Sequence, residues 1–464
     1  MRPINLLLAY YADDFTGSTD ALESLTLGGV ETALFVEPPS AEMLRHYPHV
    51  RAIGIAGNSR TMTPAEMDAT LPRVFESLCS HRPHIVHYKV CSTFDSSPEI
   101  GSIGRAIEQG HGTFSNHFVP LVVGVPQLQR FCVFGNLFAR SGLSSAPFRL
   151  DRHPTMREHP VTPMTEADLR LHLSRQTSRP IGLVDVLAME SGYETAHQQL
   201  GKLTKDIGAT VLFDGLTDDH LAIAGRLIWE AQSREQKPLF AVGSSGIEYA
   251  LTKHWHAAGL LPSAQRASFK NIEPADRIVV VSGSRSPVTK RQIAWALEHG
   301  FDEVRLDVAS LCQSKHLDAE IAENVKQMLS VLDTGRSVIL HTYRDLTDSR
   351  NGAAVRTSSS DAASGNQLGT ILGRTLRDVV RARTLRRVSV VGGDTSGYVA
   401  RSLGIDSLEM VAPLEPGAPV CVARGDESAV DGLEVVFKGG QVGYDDFFET
   451  LLCGRSTRSC VGAH

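Results

Sequence analysis

Short apolar runs alternate along this chain with stretches in which apolar residues recur every three or four positions. The first run, Ile4 to Tyr11, breaks at Asp13 and Asp14 and crosses Thr16, Gly17 and Ser18. It becomes amphipathic through Ala21, Leu22, Leu25 and Leu27. That is a strand, a polar turn and a helix. The same alternation predicts strands at 31–36, 51–60, 84–97, 118–125, 181–186, 209–214 and 239–243. Helices are predicted at 61–77, with Thr63 and Pro64 as cap and first position, and at 100–108, 166–177, 194–206, 218–230 and 243–251. Residues 128–163 lose the pattern and collect prolines and mixed charge, so they read as a long functional loop.

Residues 254–276 lose the periodicity again, and the pattern then restarts. The reading is an N-terminal domain over 1–253, a linker over 254–276 and a C-terminal domain over 277–464. In the second half, 277–300 and 386–405 each read as strand, Gly- or Ser-rich turn and helix, with further strands at 302–307 and 337–342. The serine-rich stretch 357–366 reads as a flexible loop before a helix at 367–383, and the end as two β-like segments and a short helix at 444–452. Strand and helix alternating in this way predict an α/β fold of two domains, each a largely parallel sheet flanked by helices.

At 464 residues the chain is too long for one ordinary core, which agrees with two domains. Aromatics make up only 6%, which speaks against a β-sandwich or a platform for stacking bases. A net charge of -6 without a long basic run argues against nucleic acid or an anionic membrane as partner. The seven cysteines are an odd number, scattered and without a CxxC pair, so they predict neither disulfides nor a zinc site. With no apolar stretch near the roughly 20 residues of a membrane span, a cytoplasmic protein is expected.

In a parallel sheet, ligands gather at the carboxyl ends of the strands. Asp13 and Asp14, Asn58 and Arg60, and Lys89 with Ser92 and Thr93 come from three such ends. Carboxylates can accept protons from a polyol, Arg can grip a carboxylate and Lys can screen charge, which together suit a small hydroxylated acid. One of the two aspartates could equally be a helix cap, Arg60 a surface ion pair and Lys89 a solvated tip. His153 and His159 could reach substrate or serve structure, and Cys91 reads as a buried thiol. In the second half, 282–289 (SGSRSPVT) and 392–397 (GGDTSG) each join a strand to a helix as a phosphate turn would, and Lys438, Gly439, Gly440 and Gly443 form a third glycine turn. None matches a P-loop or a dinucleotide fingerprint.

Taken in order, ADDFTGSTDAL (12–22), GNSR (57–60), YKVCST (88–93), GSSG (243–246), SGSRSPVT, GGDTSG and FKGGQVG (437–443) resemble the four-carbon acid sugar kinase family. The resemblance implies a sugar-acid-binding N-terminal domain, an ATP-binding C-terminal domain and an active site in the cleft between them. It implies ATP and Mg²⁺ as cofactors, a small sugar acid as substrate and no nucleic acid or membrane partner; a homodimer is an open expectation. Substrate contacts fall on Asp13, Asp14, Arg60, Lys89, Ser92 and Thr93. ATP contacts fall on Ser284, Ser286, Gly393, Asp394, Thr395, Ser396, Gly397 and Gly440. Asp14 or Asp13 would deprotonate the attacking hydroxyl, with Asp394 as alternative base or Mg²⁺ partner. YKVCSTFDSSPEIG departs from the YKKTDSTLRGN of many members and points to the branch that includes 3-oxo-isoapionate kinases; KGGQVG for KSGNFG keeps its glycines. A sugar-acid sensor and a nicotinamide-dependent oxidoreductase are the alternatives; the latter lacks its GxGxxG fingerprint.

Overall fold

The computed structural model describes residues 5–140, 146–159, 161–205, 208–262, 269, 271–306, 317–342 and 361–454, excepting the side chains of 361–366 and 394. The chain forms two compact units, 1–268 and 269–464.

Unit 1 is built on β1 (Leu8–Ala12), β2 (Thr32–Phe35), β3 (Ala52–Ala56), β4 (Ile85–Lys89), β5 (Phe118–Val122), β9 (Ile181–Val184), β10 (Ala209–Phe213) and β11 (Leu239–Gly243). They lie in the order β2-β3-β1-β4-β11-β5-β10-β9, and every pairing is parallel. The helices are α1 (Phe15–Leu27), α2 (Pro64–Ser80), α3 (Ile103–Phe114), α4 (Leu169–Leu173), α5 (Val186–Glu190), α6 (Tyr193–Leu203), α7 (Asp218–Gln232) and α8 (Gly246–Ala257). Strands such as β1, β3 and β5 are buried at every position, as a sheet covered on both faces requires. Thr63 and Glu66 form a reciprocal capping box with Pro64 in the first turn, so α2 starts where its sequence says. Helix α8 runs to Ala257, past the expected start of the linker, because Trp255 is fully buried and holds that turn on the core.

The stretch 128–163 is not an irregular loop. It carries a second, antiparallel sheet of β6 (Arg130–Val133), β7 (Asn136–Arg140) and β8 (Pro147–Arg149). The hairpin turn is Phe134–Gly135, both with positive φ (49° and 79°), where Asn-Gly would have signalled it. The Asp214 carboxylate at the end of β10 pins this turn by accepting from the Phe134 and Gly135 amides at 2.5 and 2.9 Å. The helix expected over 166–177 shrinks to α4, and α5 was not foreseen; both are single short turns with little periodicity.

Unit 2 has β12 (Ile278–Ser282), β13 (Phe301–Arg305), β14 (Ser337–His341), β15 (Arg387–Val391), β16 (Ser407–Glu415), β17 (Ala418–Arg424) and β18 (Glu434–Lys438). The run β13-β14-β12-β15-β18 is parallel, and β17 and β16 continue it antiparallel. Its helices are α9 (Pro287–Glu298), α10 (Leu317–Asp333), α11 (Asp361–Ala382), α12 (Gly393–Leu403) and α13 (Phe447–Cys453). Helix α10 is absent from the sequence reading, and α11 takes in 361–366, expected to be loop; residues 357–360 of that stretch lie outside the described residues.

The fully buried Arg387 ties this unit together. Its Nε donates to Glu434 Oε2 (2.8 Å), Nη1 to the Leu451 carbonyl (2.6 Å) and Nη2 to the Glu273 carbonyl (2.9 Å). Removing it strands a partly buried carboxylate and two carbonyls. Arg387→Met should destabilise unit 2 by about 3 kcal/mol. Hydrogen exchange should then quicken along β12 and β15 while β1, β3 and β4 keep their protection; unchanged exchange in β15 would contradict this role.

Candidate active site

The chain leaves β1 toward β2 and leaves β4 toward β5, so the carboxyl ends of these neighbouring strands flank a topological switch point. The hydrogen bonding continues one residue past the strands. Asp13 N donates to the Lys89 carbonyl (2.9 Å) and Arg60 N to the Asp13 carbonyl (3.0 Å), which brings three of the predicted segments side by side. Two glycines fix the path of 58–60. A Cβ on Gly57 would lie 2.2 Å from the Ala12 carbonyl oxygen, and one on Gly101 (φ 60°) would lie 2.5 Å from that of Arg60. Below them Ser59 Oγ and Tyr88 OH share a buried hydrogen bond of 2.8 Å.

Arg60 binds both aspartates. Nε and Nη2 donate to Asp13 Oδ2 and Oδ1 (3.2 and 2.7 Å), and Nη2 also reaches Asp14 Oδ1 (3.0 Å). The residue expected to grip a substrate carboxylate thus holds two of the protein's own. Asp14 is also the cap of α1: its Oδ1 accepts from Gly17 N (2.7 Å) and its Oδ2 from the Thr16 hydroxyl (2.6 Å). The capping alternative therefore applies to Asp14, and Asp13 is free of it.

The two carboxyls are driven apart. Burial raises Asp13, Arg60 opposes it, Asp14 adds repulsion, and the result is pushed up to about 6. Burial raises Asp14 too, but Arg60, Thr16, Lys89 and Gly17 N outweigh it and leave Asp14 below its ordinary value. Asp14 is thus held ionised, while Asp13 can exchange a proton near neutrality.

Lys89 is no solvated tip. It is 1% exposed, with Nζ 2.9 Å from Asp20 Oδ2 and 3.1 Å from the Val90 carbonyl. Burial alone would lower its pKa, but Asp20 and Glu248 raise it, so the ammonium stays charged. Two positions back on the same face of β4, the buried His87 faces Glu248 Oε1 (2.8 Å) and the Gly243 carbonyl (3.1 Å). Asp20, His87 and Glu248 were not singled out from sequence. Asp20 lies three residues, about one turn, after Gly17 on α1, and a Cβ on Gly17 would stand 3.6 Å from Lys89 Nζ. Ser92 and Thr93 are half-buried, and Thr93 Oγ1 lies 2.9 Å from Cys91 Sγ, whose thiol burial pushes up. His153 and His159 are structural: their ring nitrogens accept from the Met156 and Thr162 amides.

In unit 2 the three glycine-containing turns form one network. Ser286 caps α9, its amide donates to Ser284 Oγ (3.2 Å), and the Thr289 hydroxyl reaches Ser284 Oγ and the Gly440 carbonyl, both at 3.0 Å. A Cβ on Gly440 would sit 2.4 Å from Ser284 Oγ. Gly392, at φ 128°, turns β15 into α12, whose first turn holds Gly393, Asp394, Thr395, Ser396 and Gly397. The Thr395 and Ser396 hydroxyls both bond back to the Gly392 carbonyl (3.2 and 2.7 Å). The side chain of Asp394 lies outside the described residues.

Two family descriptions match the chain, a sugar-binding N-terminal domain over residues 8–251 and a nucleotide-binding C-terminal domain over 279–448. The chain belongs to the four-carbon acid sugar kinase family. Among curated members it is 46% identical to a 3-oxo-isoapionate kinase from Paraburkholderia graminis, over 98% of this chain and 95% of that one. It is 30% identical to a 3-oxo-tetronate kinase from Pseudomonas savastanoi pv. phaseolicola, over 96% of each. A crystal structure from Salmonella typhimurium LT2 shares the fold with a TM-score of 0.73 at 24% identity, covering 96% of this chain and 98% of the other. One from Haemophilus influenzae does so at 0.68 and 20% identity, covering 95% and 98%. Among the described residues no helix is long and apolar enough to cross a membrane.

In this family member the balance at Asp13 depends on Arg60. Replacing Arg60 by Met removes the opposing charge, so Asp13 should titrate about one to three units above its present value near 6. A carboxyl-carbon NMR titration of labelled aspartate reads the shift; an unmoved or lowered Asp13 would contradict the assignment.

Proposed function

We propose that this chain transfers the terminal phosphoryl group of ATP to a hydroxyl of a small sugar acid, with a 3-oxo-isoapionate-type branched acid as first candidate substrate. The full-length 46% identity to a 3-oxo-isoapionate kinase carries the substrate reading. The chemistry is read from the residues. Asp13 is the proposed base: it stands one residue past the end of β1, caps no helix and is tuned near neutrality. It would take the proton of the attacking hydroxyl as that oxygen bonds to phosphorus and ADP departs. Asp14, held ionised, would orient a neighbouring hydroxyl. Arg60 holds the aspartates through Nε and Nη2 and can still offer Nη1 to an acidic substrate.

In unit 2 the donors are hydroxyls and turn amides around Ser284, Ser286, Gly393 and Gly440, a chemistry suited to phosphate. Among the described residues no three His, Cys, Asp or Glu side chains converge as a metal cage. That suits Mg²⁺ held by phosphate oxygens and one or two carboxylates. Asp394 is the proposed carboxylate, and the ion would neutralise phosphate charge. Water exclusion and alignment would supply most of the remaining rate.

ADP release measured across threonates, erythronates, 3-oxo-tetronates and 3-oxo-isoapionate tests the reading. One substrate should turn over; flat traces throughout would remove it. A base must be deprotonated to act, so kcat/KM should rise as pH increases through about 6 and level off above. Asp13→Asn should lower kcat by about 100- to 10,000-fold. A pH-independent rate, or an active Asp13→Asn protein, would assign the base elsewhere.

A further inference from the structure

Unit 2 buries a second strand-end lysine, and it differs from Lys89 in one respect. Lys438 closes β18, opposite Val391 at the end of β15, and its carbonyl accepts from Gly392 N at 3.0 Å. It therefore stands at the root of two of the turns described above, and the turn it opens crosses Ser284 on the third. The side chain is fully buried. Its ammonium donates to the Gly439 carbonyl at 3.2 Å and lies 5.2 Å from the centre of the Phe447 ring. Lys89, equally buried, has Asp20 at 2.9 Å; among the described residues Lys438 has no carboxylate partner.

A buried ammonium has three donors and a full charge, and one long carbonyl bond with the face of a phenyl ring offsets only part of either. Burial alone pushes Lys438 down to about 7, and neither Asp445 and Asp446 before α13 nor Arg291 on α9 contributes. The Phe447 ring and the glycine turn against it are uncharged. Among the described side chains none beside Lys438 supplies an anion, and the adjoining turns are lined with phosphate-type donors.

We propose that Lys438 is a nucleotide-binding residue whose ammonium answers the phosphate charge at the 439–443 turn, gaining its proton as the nucleotide binds. This rests on the reading of unit 2 as the ATP site. The bound anion raises the affinity of Lys438 for its proton, so binding takes up a proton above pH 7. Affinity is steady below pH 7 and falls as pH rises beyond it, by up to about tenfold per unit.

The test is titration calorimetry of Mg-ADP into the full chain at pH 8, in two buffers of different protonation heat, for the wild type and Lys438→Met. The wild type should take up about 0.9 proton per nucleotide, the neutral fraction of a group titrating one unit lower. Lys438→Met should bind at least about tenfold more weakly, with no uptake. A wild type that binds without uptake, or a variant that matches it in affinity and uptake, overturns the assignment. If circular dichroism shows the variant unfolded, the wild-type uptake decides alone. A wild type that does not bind Mg-ADP removes the nucleotide reading itself, a distinct result.

Discussion

One guanidinium between two adjacent carboxylates organises the sugar-binding unit. Asp13 and Asp14 are buried at 3% and 8% exposure, side by side, in a place where neither could remain charged alone. Arg60 makes the arrangement tolerable, and the cap of α1 settles which carboxylate takes the lasting negative charge. The asymmetry follows from the backbone. Asp14 faces the open amides of a helix start, while Asp13 still belongs to the strand and has only the arginine. Two identical side chains thereby acquire different acid strengths from positions one residue apart.

The buried charge continues inward. Lys89 with Asp20 and His87 with Glu248 line one face of β4, so the centre of the sheet carries hydrogen-bonded polar groups where hydrophobic ones would pack more simply. Such pairs add little net stability. Their effect is on form: Lys89 is paired with Asp20 on α1, and Glu248 on α8 favours its charged state. Helix, strand and helix therefore share one electrostatic arrangement beneath the site.

Much of this was legible in the chain. The β-α alternation gave a parallel sheet because strands covered on both faces are apolar throughout, and Thr63 and Pro64 marked the start of α2, whose end runs past the expected residue 77 to Ser80. The grouping of Asp13, Arg60 and Lys89 followed from the rule that loops after parallel strands meet on one edge. What escaped had no local signature. The hairpin at Phe134–Gly135 uses a phenylalanine in a conformation that usually selects asparagine, and an aspartate 80 residues away holds it there. Asp20 went unread because its partner, Lys89, arrives from β4. Lys438 read as part of a glycine turn, since nothing in a sequence shows that a lysine lacks an acid. The reach of Arg60 to both aspartates depends on side-chain directions that spacing does not encode.

The path of residues 58–60 has a consequence for how such a site can diverge. Gly57 runs against the Ala12 carbonyl and Gly101 against that of Arg60, each too closely for any side chain. The segment is clamped from both ends by main chain, in addition to the bonds that Ser59 and Arg60 make. An insertion or a changed turn there cannot be absorbed. Novelty in what the site accepts must therefore enter through other segments, such as the residues after β4, while 58–60 stays as a fixed template.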